Sequence, residues 1–447
     1  MDANEIASAA RDHQVRLVRF LWCGNDGTVR AKATTLHGLE QRMQSGIGVT
    51  LAMEAMNSLD ELQPVEGMGP VGELRIVPDP DTFRVLPYAP HAAAMLTDQL
   101  ALDGGPAPVC QRSFLKRMEA ALAVRDAVLY AGFENEFTLA KVVDGDWRPL
   151  DKSLCFSTIG MTASQEYADE LVGSLDRQGV PVEQYYAELG PGQQEITTGY
   201  APALHAADDQ ILTRETIRGV ATARGLAASL APKPWPDAPG NGCHIHFSLW
   251  DRDAGRNRFY SPDAALSREA AAFSAGVLDH LPALCGLTAP SYNSYRRISP
   301  QTWSGAYTCW GYDNREAPLR VPSVFRGLEE ASTNVELKTA DASCNPYLAL
   351  GGLIAAGLDG IDRELELPEP VDVDPETMTE EERAGRGIGR LPETQADALD
   401  ALAADSVLSA ALGETLLRSY LAVRRSEWQT YSAEDEEFER RGHFLKY

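Results

Sequence analysis

The chain has 447 residues, and its 44% hydrophobic content is ample for a large core and more consistent with two domains than with one. A formal net charge of −25 excludes a nucleic-acid surface, which needs clustered Lys and Arg, and keeps a large assembly in solution. The seven cysteines are scattered and lack metal-type pairing, so they point to a reducing compartment; the acidic start Met1-Asp2-Ala3-Asn4-Glu5 has no basic signal flank, and a cytoplasmic location is expected.

Residues from Glu5 to Pro106 read as a first unit. It holds a short helix, strands around Val15–Phe20 and Val29–Lys32 joined by the hairpin signal Asn25-Asp26-Gly27, a helix near Leu39, and strands near Glu73 and Ala93. The Gly- and Pro-rich stretch Leu102–Pro108 marks a boundary, which divides the chain into 1–106 and 107–447. An amphipathic helix over Gln111–Leu122 opens the second unit, which continues with helices over Gln165–Gln178, His205–Arg224 and Arg268–Leu281. The longest apolar run, Tyr347–Leu358, is too short to span a bilayer. Leu367–Glu382, crowded with Pro, Asp and Glu, reads as a solvated surface excursion, and the chain from Glu393 onward is helical.

Two patterns carry chemistry. In Gly240-Asn241-Gly242-Cys243-His244-Ile245-His246, histidines at i and i+2 of a strand share one face, as metal ligands or as half-buried strand histidines. In Gly132-Phe133-Glu134-Asn135-Glu136-Phe137, two carboxylates likewise share a face. Glu188 and Glu195 bracket a turn-rich loop, and Glu336 sits between Val335 and Leu337. Each acid alone is more often a solvated strand charge. Together, five carboxylates and a histidine repel unless cations sit between them, and oxygen-rich sites with one imidazole suit Mg²⁺ or Mn²⁺.

In order along the chain stand Gly-x-Glu-x-Glu-Phe (132–137), Glu-x-x-Pro-Gly-Gln-x-Glu (188–195), Ala231-Pro232-Lys233-Pro234, the His244/His246 strand, Asn293-Ser294-Tyr295-Arg296-Arg297, Asn314-Arg315 with Arg320, and Asn345-Pro346-Tyr347-Leu348. In this the chain resembles the class I group of the glutamine synthetase superfamily over about its whole length. The resemblance implies an α+β fold: an N-terminal β-grasp domain, then a large catalytic domain whose curved antiparallel sheet is flanked by helices. It implies ATP and Mg²⁺ or Mn²⁺ as cofactors, and a homododecamer of two hexameric rings with each active site shared between neighbouring subunits. Glu136, Glu188 and Glu195 resemble the ligands of one metal, and Glu134, His244 and Glu336 those of the other. His246 and Ser248 would approach the nucleotide. Arg315 and Arg320 resemble the arginines on the phosphates, work suited to a forked donor, and Arg297 with Gly240 resembles the glutamate carboxylate site. Glutamine synthetases regulated by adenylylation carry a tyrosine in the acidic loop; none lies between Leu367 and Leu391, so no such regulation is expected.

The departures fall where the amine arrives. Ammonia-using members have an acid shortly after the Asn-Ser-Tyr-x-Arg motif; here Trp303 stands at or next to it. No Asp-Gly-Ser-Ser occurs in the first unit, where the stretch reads Gly48–Glu54, and no Gly-Tyr-Phe occurs near Cys155-Phe156-Ser157. A tryptophan-lined pocket rewards a carbon-bearing amine, at about 0.8 kcal/mol per buried methylene, and the indole face holds its ammonium by about 0.5–2 kcal/mol. The expected activity is ligation of glutamate to a primary amine larger than ammonia, such as a polyamine, ethanolamine, an alkylamine or an arylamine, through γ-glutamyl phosphate. Glu54 is the nearest acid to serve as proton acceptor, with a surface carboxylate as its plainer reading. On the donor side Lys338 replaces an arginine and Pro239 an asparagine, and Asn334 replaces a nucleotide-side arginine. Two alternatives stay open: an ammonia-dependent glutamine synthetase, and a noncatalytic nucleotide-binding assembly with a structural or regulatory role.

Overall fold

The computed structural model describes residue 1 and residues 3–253, 255–263 and 266–447. Asp2, part of the acidic N-terminus above, lies outside them. Helix α1 (Ala3–Asp12) leads into β1 (Leu17–Cys23) and β2 (Val29–Thr35), followed by α2 (Leu36–Ser45), β3 (Ile47–Thr50), β4 (Glu73–Pro78), β5 (Arg84–Val85) and β6 (Ala92–Leu100). The strand order is β2-β1-β6-β4-β3, with β1 and β6 parallel at the centre and antiparallel strands outside them, a β-grasp sheet as the fold class anticipated. Alternation along β1 divides its side chains. Val18, Phe20 and Trp22 join Ile6 and Leu39 under the helices, while Leu21 and Cys23 join the core of the rest of the chain.

Next come α3 (Gln111–Ala123), β7 (Ala127–Val143), β8 (Asp146–Pro149), α4 (Thr158–Arg177), β9 (Val182–Ala187), β10 (Gln193–Thr198), β11 (Ala201–Pro202), α5 (Ala203–Ala223), β12 (Leu226–Ser229) and β13 (Cys243–Asp251). They are followed by α6 (Arg268–Asp279), α7 (Leu281–Thr288), α8 (Ser294–Arg297), β14 (Trp310–Tyr312), β15 (Leu319–Val321), α9 (Glu329–Ser332), β16 (Val335–Leu337) and α10 (Pro346–Asp362). A C-terminal set, α11 (Glu380–Gly385), α12 (Gln395–Ala404), α13 (Ser406–Leu412), α14 (Glu414–Tyr431) and α15 (Glu436–Phe444), closes the chain. The second sheet has ten strands in the order β14-β15-β16-β13-β7-β10-β9, with β8, β11 and β12 also on β7. Its pairs are antiparallel except for edge strand β14, which runs parallel to β15. Helix α10 is apolar nearly all round and buried, as a central core helix must be. Among the described residues no single helix is long and apolar enough to cross a membrane.

The β1–β2 turn locks the two sheets together. Gly27, at φ +75°, sits so close to the second unit that a Cβ there would lie 2.1 Å from the Ser343 carbonyl oxygen. Arg214 donates to the Gly27 carbonyl at 2.7 Å. Asn345 accepts from the Tyr347 N–H as the cap of α10, and its amide donates to the carbonyls of Cys23 and Gly24 at 3.0 and 3.2 Å. The Asn345-Pro346 motif is thus a cap and an interdomain clamp at once.

Three expectations need correction. Helix α4 starts at Thr158 rather than Gln165, because Ser157 caps it. The helix expected over Arg268–Leu281 ends at Asp279, and α7 departs at 76° with Pro282 in its first turn, where the missing N–H is harmless. Finally, Leu367–Glu382 is not a mere excursion: Val371 is buried, Trp310 Nε1 donates to the Pro368 carbonyl at 2.6 Å, and Asn314 donates to the carbonyls of Val371 and Val373.

Candidate active site

Strand register gathers the acids and imidazoles. On β13, His244 lies opposite Glu134 of β7 and His246 opposite Gly132. On β10, Glu195 lies opposite Glu136, and on β16, Glu336 lies opposite His246. Because side chains alternate along strands, this register turns Glu134, Glu136, His244, His246, Glu195 and Glu336 to one face.

His244 is the hub. Its Nδ1 lies 3.2 Å from both Glu134 and Glu336, and its Nε2 lies 3.9 Å from Glu136. The ligand atoms of Glu134, His244 and Glu336 all fall within 4.8 Å of one another. His246 Nε2 is 3.0 Å from Glu134, and its Nδ1 meets Asn334 Oδ1 at 2.8 Å. Burial opposes charge here, yet Lys338, His244 and His246 hold the Glu336 carboxyl down at about 2. Burial is likewise outweighed at His246, where Glu134 raises the imidazole to about 9. Half of the cluster is therefore neutralised by the chain's own cations.

The other half is not. Burial and the neighbouring Glu134 and Glu136 push Glu195 up to about 9, and burial with Glu136 raises Glu188. Tyr186 donates to Glu195 at 2.6 Å, and the Leu189 N–H donates to Glu188 at 2.7 Å. Glu136 is fixed through one oxygen, which accepts from the Gly242 N–H and from Gln193 Nε2, both at 2.9 Å. Three carboxylates so crowded, on well-anchored side chains, fit a divalent ion with oxygen ligands. Tyr186 and Gln193 were missed in the sequence. Gln193 had a signal, its place inside the 188–195 loop, whereas Tyr186 had none.

Cationic groups ring the acids. Arg320 donates to Glu336 at 2.8 Å, and Lys338 Nζ lies 3.1 Å from the other oxygen of Glu336. Arg297 is buried and donates to the carbonyls of Lys338 and Ala340. A Cβ at Gly240 would lie 2.7 Å from Arg297, and one at Gly242 would lie 2.7 Å from His244, so these glycines admit both side chains. Arg315 is exposed and has no hydrogen-bond partner among the described residues. Ser248, two residues beyond His246 on β13, accepts from Trp250 Nε1 at 2.9 Å. Trp250 stacks on the exposed Tyr200 and packs against Tyr130, an aromatic shelf that sequence reading missed. Alternation from Ser248 points to Trp250; Tyr200 has no local signal.

Two exposed aromatics on loops both have backbones in the left-handed region. Trp303 has φ +57° and is 59% exposed; Phe156 has φ +56° and is 66% exposed. Phe156 packs edge-on against Tyr186, and Cys155 Sγ lies 3.8 Å from Glu188. Glu54 does not join them and, contrary to the expectation, is not placed to accept a proton from the amine. It is 1% exposed, accepting from Gln99 at 2.7 Å and Gln111 at 2.9 Å inside its own subunit, and burial raises it to about 7.

Comparison with known proteins gives a consistent result. Residues 1–107 match the glutamine synthetase N-terminal domain, and residues 108–443 match the glutamine synthetase catalytic domain. The gamma-glutamylpolyamine synthetase GlnA3 of Streptomyces coelicolor is 35% identical over 405 residues, 90% of this chain and 87% of that protein. A glutamine synthetase of Methanocaldococcus jannaschii is 34% identical over 369 residues, 80% of each chain. A solved structure described as a novel glutamine synthase homolog superposes with a TM-score of 0.86 at 34% identity, covering 96% of this chain and 97% of that one. A GmaS/ADP complex gives a TM-score of 0.85 at 29% identity, covering 98% of each chain.

Proposed function

Because the chain belongs to the glutamine synthetase family, whose members are ATP-dependent ligases that form C–N bonds, we propose that it joins the γ-carboxylate of glutamate to a primary amine larger than ammonia. The observation that carries this reading is Trp303: an indole, 59% exposed, stands at or next to the position where ammonia-using relatives have an acid, on a backbone whose N–H is held by Glu316. Tryptophan cannot take a proton from ammonium, but it can cover carbon and face a cation. Phe156, in the same backbone conformation, supplies an exposed aromatic face beside Tyr186. The likeness to a gamma-glutamylpolyamine synthetase supports the same class of acceptor. The likeness to plain glutamine synthetases favours the second reading, ammonia itself.

Glu136, Glu188 and Glu195 would hold one Mg²⁺ or Mn²⁺, and Glu134, His244 and Glu336 a second; bound there, the ions neutralise crowded phosphate oxygens during transfer. The chain's own groups do the rest. Arg297 holds the glutamate carboxylate beside the Gly240 loop, and Lys338 faces the γ-carboxylate as a point charge. Arg320 and Arg315 take phosphate oxygens. His246 and Ser248 line the nucleotide, and Tyr200 and Trp250 offer a base-stacking face. The γ-carboxylate oxygen attacks the terminal phosphorus of ATP, ADP leaves, and the amine then displaces phosphate from γ-glutamyl phosphate. A cytoplasmic homododecamer of two hexameric rings is the assembly in this proposal.

The test is phosphate release with ATP, Mg²⁺ and glutamate across ammonium, ethanolamine, putrescine, spermine, isopropylamine and aniline, with mass detection of each product. Release with an organic amine and little with ammonium supports the proposal; release with ammonium alone replaces it with the second reading.

A further inference from the structure

Away from the acid cluster, at the β14 edge of the large sheet, the fold leaves a half-open cleft of about 600 Å³ between α6, β14, the segment 365–371 and the end of α11. None of the residues assigned above to metals, nucleotide or substrates lines it. Its volume lies in the range of about 300–1,000 Å³ usual for small-molecule sites. Leu278, Pro282, Trp310, Leu365 and Ile388 give it apolar walls, and Asp279, Glu366, Glu369 and Arg386 are its charged groups.

The charges do not cancel. Asp279 is paired with Arg363 at 2.7 Å, and Arg386, which donates to the carbonyls of Glu369 and Pro370, leaves one cation against the exposed carboxylates of Glu366 and Glu369. The carboxylates of Glu366 and Glu369 have no hydrogen-bond or ion-pair partner among the described residues. The Trp310 ring is fixed by its bond to Pro368. An apolar cleft with a net acidic rim and an immobilised indole fits a cation that carries carbon.

We propose that this cleft binds an organic ammonium ion with an aliphatic body, and that its occupancy acts on the amine-side loop. The second part rests on the function proposed above. The wall segment and that loop are one hydrogen-bonded unit: Val371 donates to Trp310, Asn314 grips the carbonyls of Val371 and Val373, and Gln301 donates to Asp374 at 3.1 Å. Glu316, two residues after Asn314, holds the N–H groups of Gln301 and Trp303. An occupant that steadies the wall therefore biases the backbone presenting Trp303.

Hexyltrimethylammonium is the probe, because it has no N–H to acylate and so cannot be a substrate. Titration calorimetry of the full-length protein should show saturable binding at one site per subunit. The probe's affinity should fall at least tenfold in Glu366→Gln/Glu369→Gln and in the cleft-filling Leu278→Trp, and stay unchanged in Trp303→Ala. The surface Glu→Gln pair keeps the test valid if Leu278→Trp folds poorly. No saturable binding, tighter binding of hexanoate than of the probe, or loss of binding in Trp303→Ala instead overturns the site. For the coupling, the probe should change the acceptor KM at least threefold in the wild type, with whichever acceptor supports phosphate release, and not in the double variant. An unchanged KM with the probe bound overturns the coupling, and neither binding result depends on which acceptor the enzyme uses.

Discussion

The backbone N–H of Trp303 donates to the Glu316 carboxylate at 2.9 Å, and this bond holds a bulky residue in a conformation that non-glycine residues rarely adopt. The same carboxylate accepts from the Gln301 N–H, also in a left-handed residue. Strain of this kind persists only where surrounding contacts over-determine it.

Trp303→Ala should therefore raise KM for the organic amine about tenfold, the equivalent of roughly 1.4 kcal/mol of lost cation and methylene contact, with KM for ATP and glutamate little changed. Trp303→Glu should shift the acceptor preference toward ammonium. Steady-state kinetics with each substrate varied in turn would check both, and a uniform loss of kcat with every KM unchanged would remove Trp303 from the amine side.

The crowding of Glu195 against Glu134 and Glu136 predicts a metal-dependent stability. Mn²⁺ and Mg²⁺ should raise the Tm of the wild type by several degrees, in proportion to the logarithm of their concentration. Glu195→Gln keeps the shape and removes a ligand, so its metal-free Tm should stay near that of the wild type while most of the metal-induced rise disappears. Thermal unfolding with and without chelator distinguishes the two effects.

Glu54 gives a pH dependence of opposite origin. Its folded pKa of about 7 lies above the unfolded value near 4.5, so its contribution is complete below pH 4.5 and is lost as pH rises through 7. By pH 8 the loss amounts to about 3 kcal/mol. Glu54→Gln cannot ionise, and a flip of the Gln99 amide, whose Oε1 is unpartnered, gives it an acceptor. The variant should be more stable than the wild type at pH 8 and not at pH 5, measured by urea unfolding at both.

Gly27→Ala should destabilise the protein by at least about 2 kcal/mol, since the added Cβ meets the Ser343 carbonyl and φ is positive. Because the turn clamps one sheet onto the other, the N-terminal residues should also lose hydrogen-exchange protection before the rest. A single cooperative transition with unchanged stability would show that the clamp is not tight.

Much of this molecule was legible in its sequence because the relevant signals are local. The His-x-His and Glu-x-Glu spacings fix which side chains share a strand face, and the Asn25-Asp26-Gly27 turn fixes a hairpin. Alternation does not say which strands will be neighbours, so it could not show that His244 would meet Glu134 and Glu336 at 3.2 Å, or that Tyr186 would reach Glu195. Short or one-sided stretches misled: Glu54 looked like a loop acid, yet long-range packing encloses it between Gln99 and Gln111. The acidic 367–382 stretch looked solvated, yet Val371 is buried against the sheet edge. The sequence alone determined the strands that carry the acids and the family to which they belong, because periodicity and turn chemistry are properties of neighbouring residues. Only the tertiary structure decided which carboxylates keep a cation and which are left crowded, where the aromatics stand, and that a cleft forms at the β14 edge, because burial, charge pairing and shape arise between residues far apart in the chain.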